Sequence, residues 1–331
     1  MNKIFPKKLK EGDLVKIIAP SRSMYNFSKI LKEEAEKKFL ELGLKLSFSK
    51  HVEEKGDFYS SSISSRIQDL HDAFLDKNVS AVMAFGGGYS ANQLLNYIDF
   101  DIIKQNPKIF MGFSDITILS NAIFAKTGLV TYSSPNFTSF AQKLHFEYTL
   151  NYFKKCLISE ESYNIYPSEF WSDDKWKINQ DNRKLIKNSG IKIIEKGNAK
   201  GTIIGGNLCT FNLLQGTNFI PNIEDSILFI EDDSMAKKYC DVEFDRNLQS
   251  LLHQNILRNI KAVIIGRFQK ASKMNLSKIK KIIKSKKELE NILVLSELDF
   301  GHSDPKITFP IGGEIFINAS KNEIDIKILK H

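Results

Sequence analysis

The chain has 331 residues, of which 42% are hydrophobic and 26% charged, a balance that excludes a disordered or fibrous protein and is large enough for two packed domains. Its formal net charge of +8 raises nucleic acid as a partner, yet much of the excess falls in Lys273 to Lys287. There Leu276, Ile279, Ile282 and Ile283 mark one apolar helical stripe and the lysines take the other face, so a solvated amphipathic helix accounts for them.

No recognisable nucleic-acid module accompanies that charge, and no nucleic-acid partner is expected. No apolar run reaches the ~20 residues of a membrane span, and the basic N-terminal segment lacks the apolar core of a secretory signal. The three cysteines, Cys156, Cys209 and Cys240, stand at no metal-like spacing. A cytoplasmic location without membrane attachment is the expectation.

In the first half, strand and helix alternate. LVKIIAP (14–20) reads as a strand, and 27–43 as a helix with Asn26 as its cap and Gly43 as its stop. A second strand (LKLSFS) and a second helix follow, the helix with Ile63, Ile67, Leu70 and Phe74 on one face. Val79 to Phe85 is a third strand running into Gly86-Gly87-Gly88, and KIFMGF a fourth, leading to a helix over ITILSNAIFAKTG. Such alternation predicts an α/β domain, residues 1–150, with a parallel sheet and ligands at the carboxyl ends of its strands.

From about 145 to 195 the period is lost, and both tryptophans, Trp171 and Trp176, fall in this polar stretch. It reads as an inter-domain linker and loop, 151–195. Beyond it GTIIGG, SILFIED, KAVIIGRF, NILVLSEL and EIFINAS predict a smaller β-rich domain, 196–331.

Four features could carry chemistry. Ser114 stands at the apex of a strand–turn–helix elbow, GFSDI, where a hydroxyl projects beside free helix N–H groups. Ile116 replaces the second glycine of the hydrolase pattern, and Ser-Asp here is equally an ordinary helix N-cap. FGGGYSA offers backbone N–H groups to an oxyanion or a phosphate. It also satisfies G-x-G-x-x-A, though after the third strand rather than the first, and it is equally a tight turn needing positive φ.

Glu231, Asp232 and Asp233 end an apolar strand, where solvated acids are common. His302 lies in GHSDP past another strand, where a turn residue is common. Glu231, Asp232, His302 and Asp304 could be imagined around a metal, but no ligand spacing supports that, and neither metal nor organic cofactor is expected. Serine, glutamate and histidine, each at a strand end, with a glycine turn, are the components of acyl transfer. Two other classes stay open: a non-catalytic nucleotide- or dinucleotide-binding protein using the glycine turn, and a metal hydrolase using Glu231 and His302.

The blocks FGGGYSANQLLNYIDFD, NPKIFMGFSDIT, GTIIGGNL, ILFIEDD and DFGHSDP, in that order, resemble the LD-carboxypeptidase family of serine peptidases, and more closely its microcin C immunity branch. The resemblance implies Ser114 as nucleophile, Glu231 as acid and His302 as base, with the backbone N–H groups of Gly87 and Asp115 as oxyanion donors. It implies Gly88, Trp171 and Trp176 at the substrate, which would be a small peptide or an aminoacyl-nucleotide. It further implies a homodimer, and a site between two domains that domain closure completes.

Overall fold

The computed structural model describes residues 2–221, 225–254, 259–321 and 323–331. In the N-terminal part the elements run β1 (Leu14–Ile18), α1 (Lys29–Glu41), β2 (Lys45–Phe48), α2 (Ile63–Leu75), β3 (Val79–Ala84), α3 (Phe100–Gln105), β4 (Ile109–Gly112), α4 (Thr117–Thr127) and β5 (Thr131–Ser133). The middle of the chain forms α5 (Glu147–Leu157), β6 (Tyr163–Asn164), β7 (Phe170–Trp171), β8 (Ile186–Lys187) and β9 (Lys192–Glu195). The remainder forms β10 (Gly197–Asn207), α6 (Leu208–Asn212), β11 (Ser226–Glu231), α7 (Cys240–Leu252), β12 (Ala262–Gly266), α8 (Leu276–Lys284), β13 (Leu293–Leu298), β14 (Phe309–Ile311), β15 (Glu314–Ala319) and β16 (Ile324–Lys330).

Two sheets organise these elements. The first has the order β14-β5-β4-β3-β1-β2, parallel except at β14. Its strands β1, β3 and β4 are apolar and buried, as a sheet covered by helices on both faces requires. The order 2-1-3-4-5 reverses direction between β1 and β3, and ligands of such sheets bind outside the carboxyl ends of the strands at that reversal. The second sheet has the order β6-β16-β15-β10-β11-β12-β13-β9, with β10 to β13 parallel and antiparallel strands on both sides.

Helix α4 joins the sheets. Nine of its eleven residues are buried, including Ile118, Leu119, Ile123 and Phe124, and a helix apolar on all sides belongs between layers rather than at a surface. Its polar residues grip the end of β10. Asn121 donates from Nδ2 to the Gly205 carbonyl at 2.8 Å and accepts from the Gly205 N–H at 3.1 Å. Thr117 Oγ1 accepts from the Asn207 N–H at 3.0 Å. The helix that leaves the Ser114 elbow is thereby fixed to the strand next to Glu231.

Some expectations are corrected. Helix α1 is capped at Ser28, and Asn26 instead has φ of 63° two residues earlier. The stretch 145–195 is not a featureless linker: α5 buries Tyr152, Phe153, Cys156 and Leu157, while β6 and β9 are the two edges of the second sheet. Strand β14 crosses back from the C-terminal part to pair with β5, Phe309 opposite Ser133. The lysine-rich segment does form a helix, with Ile279, Ile282 and Ile283 buried, and each such side chain contributes about 1.5–3 kcal/mol. Among the described residues no helix is long and apolar enough to cross a membrane.

Candidate active site

Ser114 follows β4 directly. Its φ of 66° is left-handed, costly for a residue with a Cβ, and it opens a 3-10 turn over Ser114–Ile116 that runs into α4. The preceding residue, Phe113, holds the N-cap position without any side-chain cap bond, so the N-cap reading of Ser114 is replaced by that of an elbow. Asn136 secures the approach: its Oδ1 accepts from the Phe113 N–H at 3.1 Å.

The Ser114 hydroxyl meets His302, whose Nε2 lies 3.0 Å from Oγ. His302 Nδ1 is 2.8 Å from Glu231 Oε2. Glu231 is buried at the end of β11, and its other oxygen accepts from Asn207 Nδ2 at 3.2 Å. Asn207 and Glu231 are register partners on adjacent parallel strands, which sets this contact by sheet geometry. The turn bearing His302 comes within reach because Gly301, with φ of 98°, presses against the Glu231 carboxylate where a Cβ would collide. All three groups are in hydrogen-bond reach without any further closure of the two parts.

Gly86, Gly87 and Gly88 have no positive φ, so the tight-turn explanation of the triplet is withdrawn. Close approach explains it instead. A Cβ on Gly87 would stand 2.8 Å from Ser114 Oγ and 3.6 Å from the Asp115 N–H. One on Gly88 would run into Ser21 Oγ and the Arg22 backbone. The carboxylate of Asp115 points away, accepting from Ser21 Oγ at 2.6 Å and the Ala91 N–H at 2.9 Å, which pins the elbow against the ends of β1 and β3.

Electrostatics favours the charged form of His302. Burial alone would press His302 towards neutrality, but the Glu231 carboxylate beside Nδ1, with Asp233 nearby, raises its pKa above the ordinary value. Asp232 is pushed up to about 7 by burial and by Glu231 and Asp233. Asp304 is not at the reacting centre; Arg183 and Lys306 outweigh its burial and hold it below the usual carboxylate range. Among the described residues no group of three or more histidine, cysteine or acidic side chains is arranged to hold a metal ion.

Clefts open on both sides of Ser114. A cleft of about 510 Å³ lies at the β1/β3 reversal and is lined by Arg22, Gly87, Lys177, Gln269 and His302 among others. It continues into one of about 480 Å³ that Trp176, Lys177, His302 and Lys306 line. On the other side a pocket of about 290 Å³ is lined by Ser114, Asn207, Asp232, Asp233, Met235 and Glu243, of which Ser114, Asp233 and Met235 also line the first cleft. Among the described residues no lysine, arginine or histidine lines the pocket. Trp171 belongs to neither side. It lines a separate pocket, under Arg267 and Lys270, whose cationic groups lie 5.2 Å and 5.6 Å from its ring centre.

Asn207, Gly301 and Asn121 are site or support residues that sequence reasoning passed over. The first is the asparagine of the GTIIGGNL block, and its amide at a strand terminus was the available signal.

The fold and the family models that match the chain define a carboxypeptidase class. Residues 15–134 match the LD-carboxypeptidase N-terminal domain and residues 200–317 the LD-carboxypeptidase C-terminal domain, and the chain belongs to the LD-carboxypeptidase family. It is 46% identical to the putative carboxypeptidase YocD of Bacillus subtilis, over 99% of this chain and 100% of that one. The crystal structure of an MccF-like protein from Bacillus anthracis superposes with a TM-score of 0.98 at 49% identity, covering 99% of this chain and 100% of that one. The microcin C7 self-immunity protein MccF in complex with aspartyl sulfamoyl adenosine superposes with a TM-score of 0.87 at 28% identity, covering 99% of each chain.

Proposed function

We propose that this protein is a serine carboxypeptidase that hydrolyses the C-terminal amide bond of murein peptides or the acyl bond of aminoacyl-adenylate analogues. The observation that carries the reading is the chain of two hydrogen bonds, Ser114 to His302 at 3.0 Å and His302 to Glu231 at 2.8 Å. His302 takes the proton of Ser114 as the hydroxyl attacks the carbonyl, then gives it to the leaving group; Glu231 fixes the tautomer and stabilises the imidazolium. The N–H groups of Gly87 and Asp115 receive the oxyanion, each such donor worth roughly 3 kcal/mol. Water then releases the acyl group by the same route.

The direction of the substrate follows from His302. The leaving group must lie on the histidine's side, in the cleft of Arg22, Trp176 and Lys177, and the acyl group in the pocket of Asp232, Asp233 and Glu243. Burial and the neighbouring Arg22 lower the pKa of Lys177, so the two cations oppose each other and an anionic leaving group relieves both. A peptide carboxylate and a sulfamoyl or phosphoryl group both satisfy this. Trp176 adds a ring for a base, worth about 1–3 kcal/mol by stacking. Gly88, whose missing side chain makes room for Ser21 and Arg22, lines both clefts and offers its backbone to the substrate.

A small fluorophosphonate probe tests the reading: it should label Ser114 and no other residue. A non-catalytic nucleotide-binding protein or a metal hydrolase would remain unlabelled there. Parallel assays on a murein tetrapeptide and an aminoacyl sulfamoyl adenosine then assign the substrate.

A further inference from the structure

The turn that presents His302 is held from behind by a buried ionic contact that the catalytic set does not use. Two residues after the base, the Asp304 backbone forms a reciprocal bridge with Ser172, whose N–H donates to the Asp304 carbonyl at 2.7 Å and whose carbonyl accepts from the Asp304 N–H at 2.8 Å. The Asp304 carboxylate accepts from Arg183 Nη2 at 3.0 Å, from Gln142 Nε2 at 3.3 Å and from Lys306 Nζ. Arg183 Nη1 donates to Gln142 Oε1 at 2.8 Å, closing a triangle of side chains.

The Arg183 side chain is only 1% exposed. Its two terminal nitrogens are paired, Nη1 with Gln142 and Nη2 with Asp304, while Nε is buried without a partner among the described residues, and lysine cannot make that fork. Arg183 and Trp176 lie in the same segment, between β7 and β8. The link also reaches the nucleophile. Lys306 Nζ sits 5.2 Å from the centre of the Phe113 ring, which is itself 5.4 Å from the His302 ring, and Phe113 precedes Ser114.

We propose that Arg183 is a positioning residue: through its ion pair with Asp304 it sets the turn that carries His302 and ties that turn to the segment lining the leaving-group cleft. This rests on the serine carboxypeptidase reading. Among the described residues the His302 side chain hydrogen-bonds to Glu231 and Ser114 alone, so apart from the Phe113 ring its place depends on the backbone of 301–304. A base displaced by an ångström loses roughly a hundredfold in rate. The segment that receives the leaving group and the base that protonates it therefore move as one body.

The test compares Ser114 labelling by a small fluorophosphonate, which is too short to reach the Trp176 segment, with steady-state kinetics on the full substrate. Arg183→Met keeps the apolar stem and leaves Asp304 paired with Lys306. It should label at least tenfold more slowly than native protein and lose kcat by a similar factor. Arg183→Lys should recover only part of the rate. Labelling at the native rate, with a rise in KM alone, would show that Arg183 merely shapes the segment and would overturn the proposal.

Thermal unfolding accompanies each variant. If Arg183→Met does not fold, Asp304→Asn carries the same comparison with the side-chain shape kept, and native-rate labelling there equally overturns the proposal. Native protein that fails to label at Ser114 would instead bring down the carboxypeptidase reading itself, and this inference with it.

Discussion

Gly87 lies so close to Ser114 that a Cβ on it would stand 2.8 Å from the serine hydroxyl. Its φ is not positive, so alanine fits the backbone there and the substitution tests the approach alone. Gly87→Ala should still fold, at a cost of about 1–3 kcal/mol that comes from crowding Ser114 and not from left-handed strain. Turnover should fall at least ~100-fold, because the methyl group crowds the nucleophile and displaces a donor to the oxyanion. An unchanged kcat would remove Gly87 from the oxyanion site.

Ser114→Ala should abolish hydrolysis, by roughly 10⁴-fold or more, with the fold intact. Groups that act as one unit are not additive, so Ser114→Ala combined with His302→Ala should lose little beyond the single variant. A multiplicative loss in single-turnover assays would mean that the two side chains act independently, contrary to the 3.0 Å contact between them.

How far the chain could be read without its structure depends on whether the physics was local. The strands ending at Ser114, Glu231 and near His302 are continuous apolar runs stopped by polar turns, and such runs declare themselves. What stayed hidden is non-local. Strands β6 and β5, of two and three residues, exist only because partners elsewhere in the chain accept their hydrogen bonds. Asn121 reads as a mid-helix polar residue until β10 is set against it. The glycine triplet was legible as important but not for the right reason: closeness to Ser21 and Ser114 is a tertiary fact, whereas positive φ is the local guess. Trp171 and Trp176 are five positions apart and look equivalent in sequence, yet they line different pockets.

The pH dependence follows from His302. Catalysis needs the neutral imidazole, so kcat/KM should rise with pH through an acid limb whose midpoint lies above the ordinary histidine value of about 6.5. The stabilising contact has the opposite sense: it is complete below the unfolded-state pKa and is lost as pH rises through the folded one. In Glu231→Gln the opposing effect of burial is left to dominate, and the limb should move below the native position while kcat drops by roughly 10⁴-fold. A limb that stays in place in that variant would assign the titration to another group, Asp232 being the first to test.

The tryptophans separate by position. Trp176→Ala should raise KM for an aminoacyl sulfamoyl adenosine by roughly tenfold, one stacking contact, while leaving a tetrapeptide without a base nearly unaffected. Trp171→Ala should not show this selective loss, because its ring packs beneath Arg267 and Lys270 outside both clefts. Equal losses on the two substrates in Trp176→Ala would mean that the ring holds the segment in place and does not touch the base.

Charge in the acyl pocket should select the acyl residue. Asp232, Asp233 and Glu243 line it and, among the described residues, no cation does, so an acyl group bearing an ammonium should be attracted and one bearing a carboxylate repelled. At the effective dielectric near a surface, one unit charge about 4 Å from another contributes roughly 4 kcal/mol before desolvation is subtracted. Even a third of that is tenfold in kcat/KM. Lysyl sulfamoyl adenosine should therefore exceed the glutamyl compound by at least that factor, with the difference shrinking in high salt as exposed charges are screened. Asp232, whose pKa is pushed up to about 7, should ionise more fully when the ammonium binds, so the preference should grow from pH 6 to pH 8. Met235→Lys puts a cation at the pocket wall and should reduce or reverse the preference. Equal rates for lysyl and glutamyl substrates in the native enzyme would mean that the acyl side chain points to solvent and the carboxylates serve only the base.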